Sequence, residues 1–215
     1  MTEAVALLEL DTLGPYLAEH APERGAIESA EKFSGGQTNP TIRIGTSNGT
    51  YVLRRQPPGK LLKSAHAVDR EYRVMKALAG SAVPVPRVLH LCEDSGVIGS
   101  KFFLMEFCDG RIFWDASLPG LDTSERSRIY YQTNDVLARL HALDVGAAGL
   151  SDYGHPGNYF ERQYQRWKSQ YEASETRTIA SMNQLIEWLG ANLPPDDGRV
   201  ALVHGDYRLD NLVFH

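Results

Sequence analysis

Cysteine is scarce in this sequence: Cys92 and Cys108 are the two in 215 residues, and neither has a Cys-x-x-Cys or histidine partner spacing. That excludes a disulfide-stapled scaffold and a cysteine-built zinc site, and it fits reduced structural thiols in a cytoplasmic compartment. No apolar run approaches the roughly 20 residues of a membrane span, so no membrane partner is expected. The first residues include Glu3 and lack the basic n-region of a secretory leader. A basic excess is also missing. With 22 Lys and Arg against 27 Asp and Glu the net charge is −5, which argues against a nucleic-acid partner. What remains is ordinary: 42% hydrophobic and 23% charged residues, enough for one large core or two small ones. The expectation is a soluble, cytoplasmic protein; nothing in the composition speaks to its oligomeric state.

Along the chain, residues 5–20 carry Val5, Leu8, Leu13 and Leu17 near helical spacing. A strand is expected to end at Phe33. Thr41–Ile44 and Tyr51–Arg54 flank Ser47-Asn48-Gly49-Thr50, where Asn-Gly suits a tight I′ hairpin turn. Pro57-Pro58-Gly59 stops the hairpin. A helix over 65–79 has Val68, Tyr72, Met75 and Ala79 on one face. Val83-Pro84-Val85-Pro86 must be extended, and two further β-rich runs follow, Arg87–Leu91 and Lys101–Phe107. After Asp109-Gly110 the pattern turns helical, over about 123–143, 158–174 and 178–192. Asp122 and Glu125 form an N-terminal box for the first of these, with Ile129, Thr133, Val136, Leu137 and Leu140 on its inner face. Val200–Val203 reads as a short strand. Strands first and helices second imply an α+β chain of two lobes with a cleft, 1–108 and 109–215.

The strongest chemical signal is His204-Gly205-Asp206-Tyr207-Arg208-Leu209-Asp210-Asn211. Phosphoryl transfer needs a base for the hydroxyl proton, ligands for the metal that holds the phosphates, and cations against their charge. At this spacing Asp206 is the candidate base, and Asn211 offers Mg²⁺ a hard oxygen ligand. A second signal pairs Arg54 with Glu71. A strand-borne cation that meets phosphate is partnered, in kinases, by a glutamate on the following helix. Glu71 falls on the apolar face of the 65–79 helix and requires a partner there. Val52 shares the face of Arg54 and is placed to contact adenine, whereas Arg55 points to the other face. His141 and His204 are read as structural, and Tyr159, Phe160, Tyr164, Trp167 and Tyr171 as mostly core, some lining a substrate site.

These residues resemble the aminoglycoside phosphotransferase and choline kinase superfamily, which has the protein-kinase-like fold. Gly205, where protein kinases carry arginine, is similar to the small-molecule branch. The resemblance implies MgATP as cofactor. It implies a nucleotide-positioning loop at Gly35-Gly36-Gln37-Thr38 and an adenine-binding linker, with Met105 at the back of the pocket and Glu106 and Cys108 presenting backbone groups. Val52-Leu53-Arg54-Arg55-Gln56-Pro57-Pro58-Gly59, Arg70-Glu71-Tyr72, Val83–Pro86 and Arg166-Trp167 resemble one subgroup, the phosphotransferase domains fused to acyl-CoA dehydrogenases. That subgroup implies a small-molecule hydroxyl acceptor, notably a hydroxyacyl-CoA. An aminoglycoside or macrolide kinase and a non-catalytic nucleotide-binding remnant are the alternatives. The family also implies a further metal-binding aspartate beyond His215. The expectation is therefore a C-terminally truncated member, with little turnover from these 215 residues alone.

Overall fold

The computed structural model describes residues 9–33, 39–57, 67–155 and 157–215. The loop expected at Gly35, Gly36, Gln37 and Thr38, together with Val5, Leu8, Pro58 and Gly59, lies outside the described residues.

Alternating side chains build the first half. Strands β1 (Ile27–Lys32), β2 (Thr41–Thr46), β3 (Gly49–Arg55), β4 (Val88–Cys92) and β5 (Phe102–Glu106) form one antiparallel sheet in the order β1-β2-β3-β5-β4. Its two faces separate by residue parity. One face presents Ile42, Ile44, Leu53, Phe102 and Leu104, all fully buried. Leu13 and Leu17 of helix α1 (Leu10–His20) complete that core. The opposite face carries the cross-strand pairs Thr41–Arg54, Val52–Met105 and Arg54–Phe103. Helix α2 (Val68–Leu78) covers it, with Tyr72 packed edge-on to Phe103.

The β2–β3 turn differs from the expected I′ geometry. Thr46 pairs with Gly49, so the two turn residues are Ser47 and Asn48, and neither has positive φ. The positive φ sits instead at Gly49, after the turn. Thr46 Oγ1 accepts the Asn48 N–H at 3.2 Å and donates to the Arg24 carbonyl at 2.5 Å, so a side chain rather than an Asn-Gly backbone conformation bonds the turn.

Three longer helices follow: α3 (Thr123–His141), α4 (Tyr159–Ser174) and α5 (Ala180–Ala191). The start of α3 is a reciprocal capping box: Glu125 N–H donates to Asp122 Oδ1 at 2.8 Å and Asp122 N–H to Glu125 Oε2 at 3.2 Å. The five residues expected on its inner face are all withdrawn from solvent. By contact density the chain forms two compact units, one running to Leu140 and including His204–His215, the other His141–Val203. In the second unit α4 meets α5 where Tyr164 Oη donates to the Ile186 carbonyl at 3.1 Å. Tyr159, Phe160 and Trp167 are exposed rather than core.

The expected strand at Val200–Val203 does not form. Those residues join no ladder, and Val200 and Val203 are more than half exposed. A strand is stable only where its backbone groups are paired, and apolar β-branched residues alone do not supply a partner. Among the described residues no helix is long and apolar enough to cross a membrane.

Candidate active site

The β3–α2 ion pair forms. Arg54 Nε donates to Glu71 Oε2 at 2.5 Å, and Nη2 lies 3.4 Å from Oε1. Parity puts Arg54 on the face that α2 covers. Glu71 is one helical turn before Met75, on the side of α2 that meets the sheet. Both side chains remain about a third exposed, so the pair adds only about 0–1 kcal/mol to stability. Its value lies in where it holds a cation. Arg55, the next residue, points into the opposite face. It is buried and donates from Nε to Ser100 Oγ at 3.0 Å and from Nη2 to the Ile98 carbonyl at 2.7 Å. Burial pulls its pKa below the ordinary arginine value, and its role is to anchor the 97–100 loop.

Val52 is buried beside Arg54 and lies opposite Met105 across β3–β5, so these two expected adenine contacts share one patch of sheet. The Glu106 side chain is committed to structure, accepting the Arg87 N–H at 2.8 Å. Cys108 is half-buried; burial, then the Glu106 charge, pushes its thiol pKa up, so it stays protonated. Beyond it the linker is tied down: Arg111 and Phe214 exchange backbone hydrogen bonds at 2.8 and 2.9 Å. Gly110 allows this approach, since a Cβ there would stand 2.6 Å from the Phe214 carbonyl oxygen. The linker is thus bonded to the segment three residues after Asn211.

The terminal loop closes as a 3₁₀ turn over Leu209–Asn211. Asn211 Nδ2 donates to the Asp206 carbonyl at 2.9 Å and to Asp206 Oδ2 at 3.0 Å. With its nitrogen so engaged, the Asn211 side-chain oxygen is left as its acceptor. Arg208 Nε donates to Asp206 Oδ1 at 2.8 Å and Nη2 pairs with Asp210 Oδ2 at 3.2 Å. A small core lies beneath: Leu209 packs with Leu118 and Ile129, flanked by Phe113, Leu121, Leu212 and Phe214. Tyr207 Oη donates to the Thr133 carbonyl of α3 at 2.8 Å, and burial raises its pKa, keeping it a donor.

Gly205 has φ +84°, and a Cβ there would meet nothing within 4 Å. The glycine is therefore required by backbone conformation rather than by space. Gly205→Ala is expected to cost about 1–2 kcal/mol, read as a lower midpoint in denaturant unfolding with an unchanged slope.

Asp206 and Asn211 are brought together, as are Arg54 and Glu71, and Val52 and Met105. Three participants escaped the sequence reading. Thr41 was recoverable, since counting back from a two-residue turn at Ser47-Asn48 places it opposite Arg54. Asn39, 4% exposed, donates to Glu71 Oε1 at 2.7 Å; nothing local marks it. Arg208 was visible as the one cation inside the loop.

A model of the phosphotransferase enzyme family matches residues 29–215. Mouse acyl-CoA dehydrogenase family member 10 is 53% identical over 184 residues, covering 86% of this chain and 17% of the mouse protein. A crystal structure from Ralstonia eutropha, provisionally named an aminoglycoside phosphotransferase, superposes with a TM-score of 0.83 at 47% identity, covering 97% of this chain and 61% of that one. The GDP complex of an aminoglycoside 2′-phosphotransferase IIIa variant has the same fold, with a TM-score of 0.66 at 20% identity over 93% of this chain and 64% of that one. The chain spans between 17% and 27% of the length of the acyl-CoA dehydrogenase family members it matches. By the extent of the family match and the two-lobed, kinase-like α+β architecture it shares with these structures, this chain belongs to the phosphotransferase enzyme family.

Proposed function

We propose that this chain carries the nucleotide-binding and catalytic residues of an ATP-dependent kinase that phosphorylates a hydroxyl group on a small molecule, with hydroxyacyl-CoA as the leading acceptor class. The observation that carries the reading is the loop pairing of Asp206 with Asn211. In it, the Asp206 carboxylate takes the acceptor's hydroxyl proton, the freed oxygen attacks the γ-phosphorus, and the bond to the β-bridging oxygen breaks to release ADP. Arg54, and Arg208 beside Asp206, supply positive charge against the phosphates. Val52 and Met105 pack against adenine, Glu106 and Cys108 meet its edge through backbone groups, and Gly35 to Thr38 approach the phosphates. Residues 1–108 serve as the nucleotide-binding lobe and 109–215 as part of the second lobe.

The donor set suits Mg²⁺, which when bound neutralises phosphate charge. Asn211 presents a neutral oxygen, and Mg²⁺ characteristically combines few protein ligands with phosphate oxygens and water. Among the described residues no three His, Cys, Asp or Glu side chains cluster as a metal site, so Asn211 with the nucleotide's own oxygens is the fitting arrangement. The 215 residues alone are expected to turn over little, since the Ralstonia chain holds a further share of fold.

The acyl acceptor is supported by identity to a protein named for acyl-CoA chemistry. An aminoglycoside or macrolide acceptor is the competing reading, supported by structures that share the fold. Incubation of the chain, extended with the corresponding C-terminal residues of the Ralstonia chain, with MgATP and either a panel of hydroxyacyl-CoAs or a panel of aminoglycosides and macrolides separates them. Phosphoester on the acyl-CoA panel is expected; phosphorylation confined to the antibiotics would overturn the acceptor assignment. No nucleic acid enters this scheme, and the free thiols Cys92 and Cys108 fit a cytoplasmic setting.

A further inference from the structure

The side chains of Arg54, Glu71 and Thr41, with both the side chain and the backbone carbonyl of Asn39, close a hydrogen-bonded ring. Arg54 Nε donates to Glu71 Oε2 at 2.5 Å, and Glu71 Oε1 accepts Asn39 Nδ2 at 2.7 Å. The Asn39 carbonyl accepts Thr41 Oγ1 at 3.2 Å, and Thr41 Oγ1 in turn accepts Arg54 Nη1 at 2.9 Å. Each hydroxyl and carboxylate oxygen plays a role its chemistry allows, Thr41 both donating and accepting. The backbone reinforces the ring. Thr41 and Arg54 are register partners in β2–β3, and Arg55 N–H donates to the Pro40 carbonyl at 3.0 Å.

We propose that Asn39 and Thr41 are positioning residues that lock the Arg54 guanidinium in place before any ligand arrives. The phosphate-facing use of that lock rests on the nucleotide reading above. The geometry also explains why arginine stands at position 54. A lysine ammonium is a point donor on a flexible stem, while the planar guanidinium reaches Glu71 and Thr41 at once through different nitrogens. Asn39 gives the carboxylate a second donor, at Oε1, while Arg54 Nε holds Oε2, so the Glu71 orientation is fixed at both oxygens. Its own burial makes it costly to leave that amide unpaired. Because Asn39 directly follows the expected phosphate loop in sequence, the ring also joins that loop's exit to α2.

The test starts without nucleotide, on the full 215-residue chain labelled with ¹⁵N. The Arg54 Nε–H signal is expected to be dispersed and slowly exchanging. It should move to the position of a solvated arginine in Asn39→Ala and in Thr41→Val, with the other arginine signals unmoved, and return in Thr41→Ser. An Arg54 signal that stays dispersed in both Asn39→Ala and Thr41→Val overturns the ring. Titration with MgATP then reads its use: the loss of a hydrogen bond to a charged group predicts about tenfold weaker binding in both variants. Unchanged affinity alongside a collapsed Arg54 signal overturns the positioning role. If the wild-type chain binds no MgATP, the nucleotide reading fails, and the lock is judged by the Arg54 signal alone.

Discussion

Asp206→Asn is expected to lower phosphate transfer to a hydroxyl acceptor by about 10³-fold, in the middle of the range for removal of a positioned base. Asparagine keeps the size and planarity of the side chain but cannot take a proton from the acceptor. The loop should survive the change. Asn211 Nδ2 still has the Asp206 carbonyl, Arg208 still has Asp210, and Tyr207 still reaches Thr133. The unfolding midpoint should therefore stay near wild type while turnover collapses, and the acceptor KM should change little, since an interaction needed only at the transition state has gone. Where turnover of the 215-residue chain lies below detection, a chimera extended with the corresponding C-terminal residues of the Ralstonia chain carries the comparison. A variant within tenfold of wild type would remove Asp206 from the role of base.

The second large effect separates two neighbouring arginines. Arg55→Met is expected to cost about 3 kcal/mol of stability and to leave MgATP affinity unchanged. Arg55 is 7% exposed, and its loss strands the Ser100 hydroxyl and the Ile98 carbonyl without their donor. Methionine fills part of the volume, so the cost is chiefly the two unpaired acceptors. Arg54→Met should do the reverse. It gives up a partly exposed pair that adds about 0–1 kcal/mol, yet it removes the cation proposed for the phosphates. Denaturant unfolding and MgATP titration of both variants check this. Equal stability losses would contradict the division of labour, which rests on strand parity and on the different burial of the two arginines.

That division was legible in the sequence because parity is local. So was the capping box at Asp122 and Glu125, whose two partners lie one turn apart, and the inner face of α3, which repeats over five helical residues. Arg54 and Glu71 could be paired in advance because burying a carboxylate on an apolar helix face demands a cation, and the hairpin delivered one nearby. The failures are non-local. Val200–Val203 has the composition of a strand, but strand formation depends on a partner that composition does not specify. Trp167, Tyr159 and Phe160 have core-like chemistry, yet they stay exposed, and local spacing did not say so, since Phe160 and Trp167 fall near the Tyr164 side of α4. Asn39 is ordinary in sequence and became meaningful only when α2 brought Glu71 against it. Gly205 was read as the absence of an arginine; its positive φ gives a physical reason for the residue itself.

The Arg54–Glu71 pair and the Asp206–Asn211 loop are proposed to form one MgATP site. Calorimetric titration of the wild-type chain, Arg54→Met and Asn211→Ala with ATP, in the presence and absence of Mg²⁺, tests this most directly. One MgATP per wild-type chain is expected, with weaker binding without Mg²⁺ and an affinity loss in both variants, the Mg²⁺ dependence being diminished in Asn211→Ala. A wild-type chain that binds no MgATP, or one whose binding is indifferent to both substitutions, would contradict it.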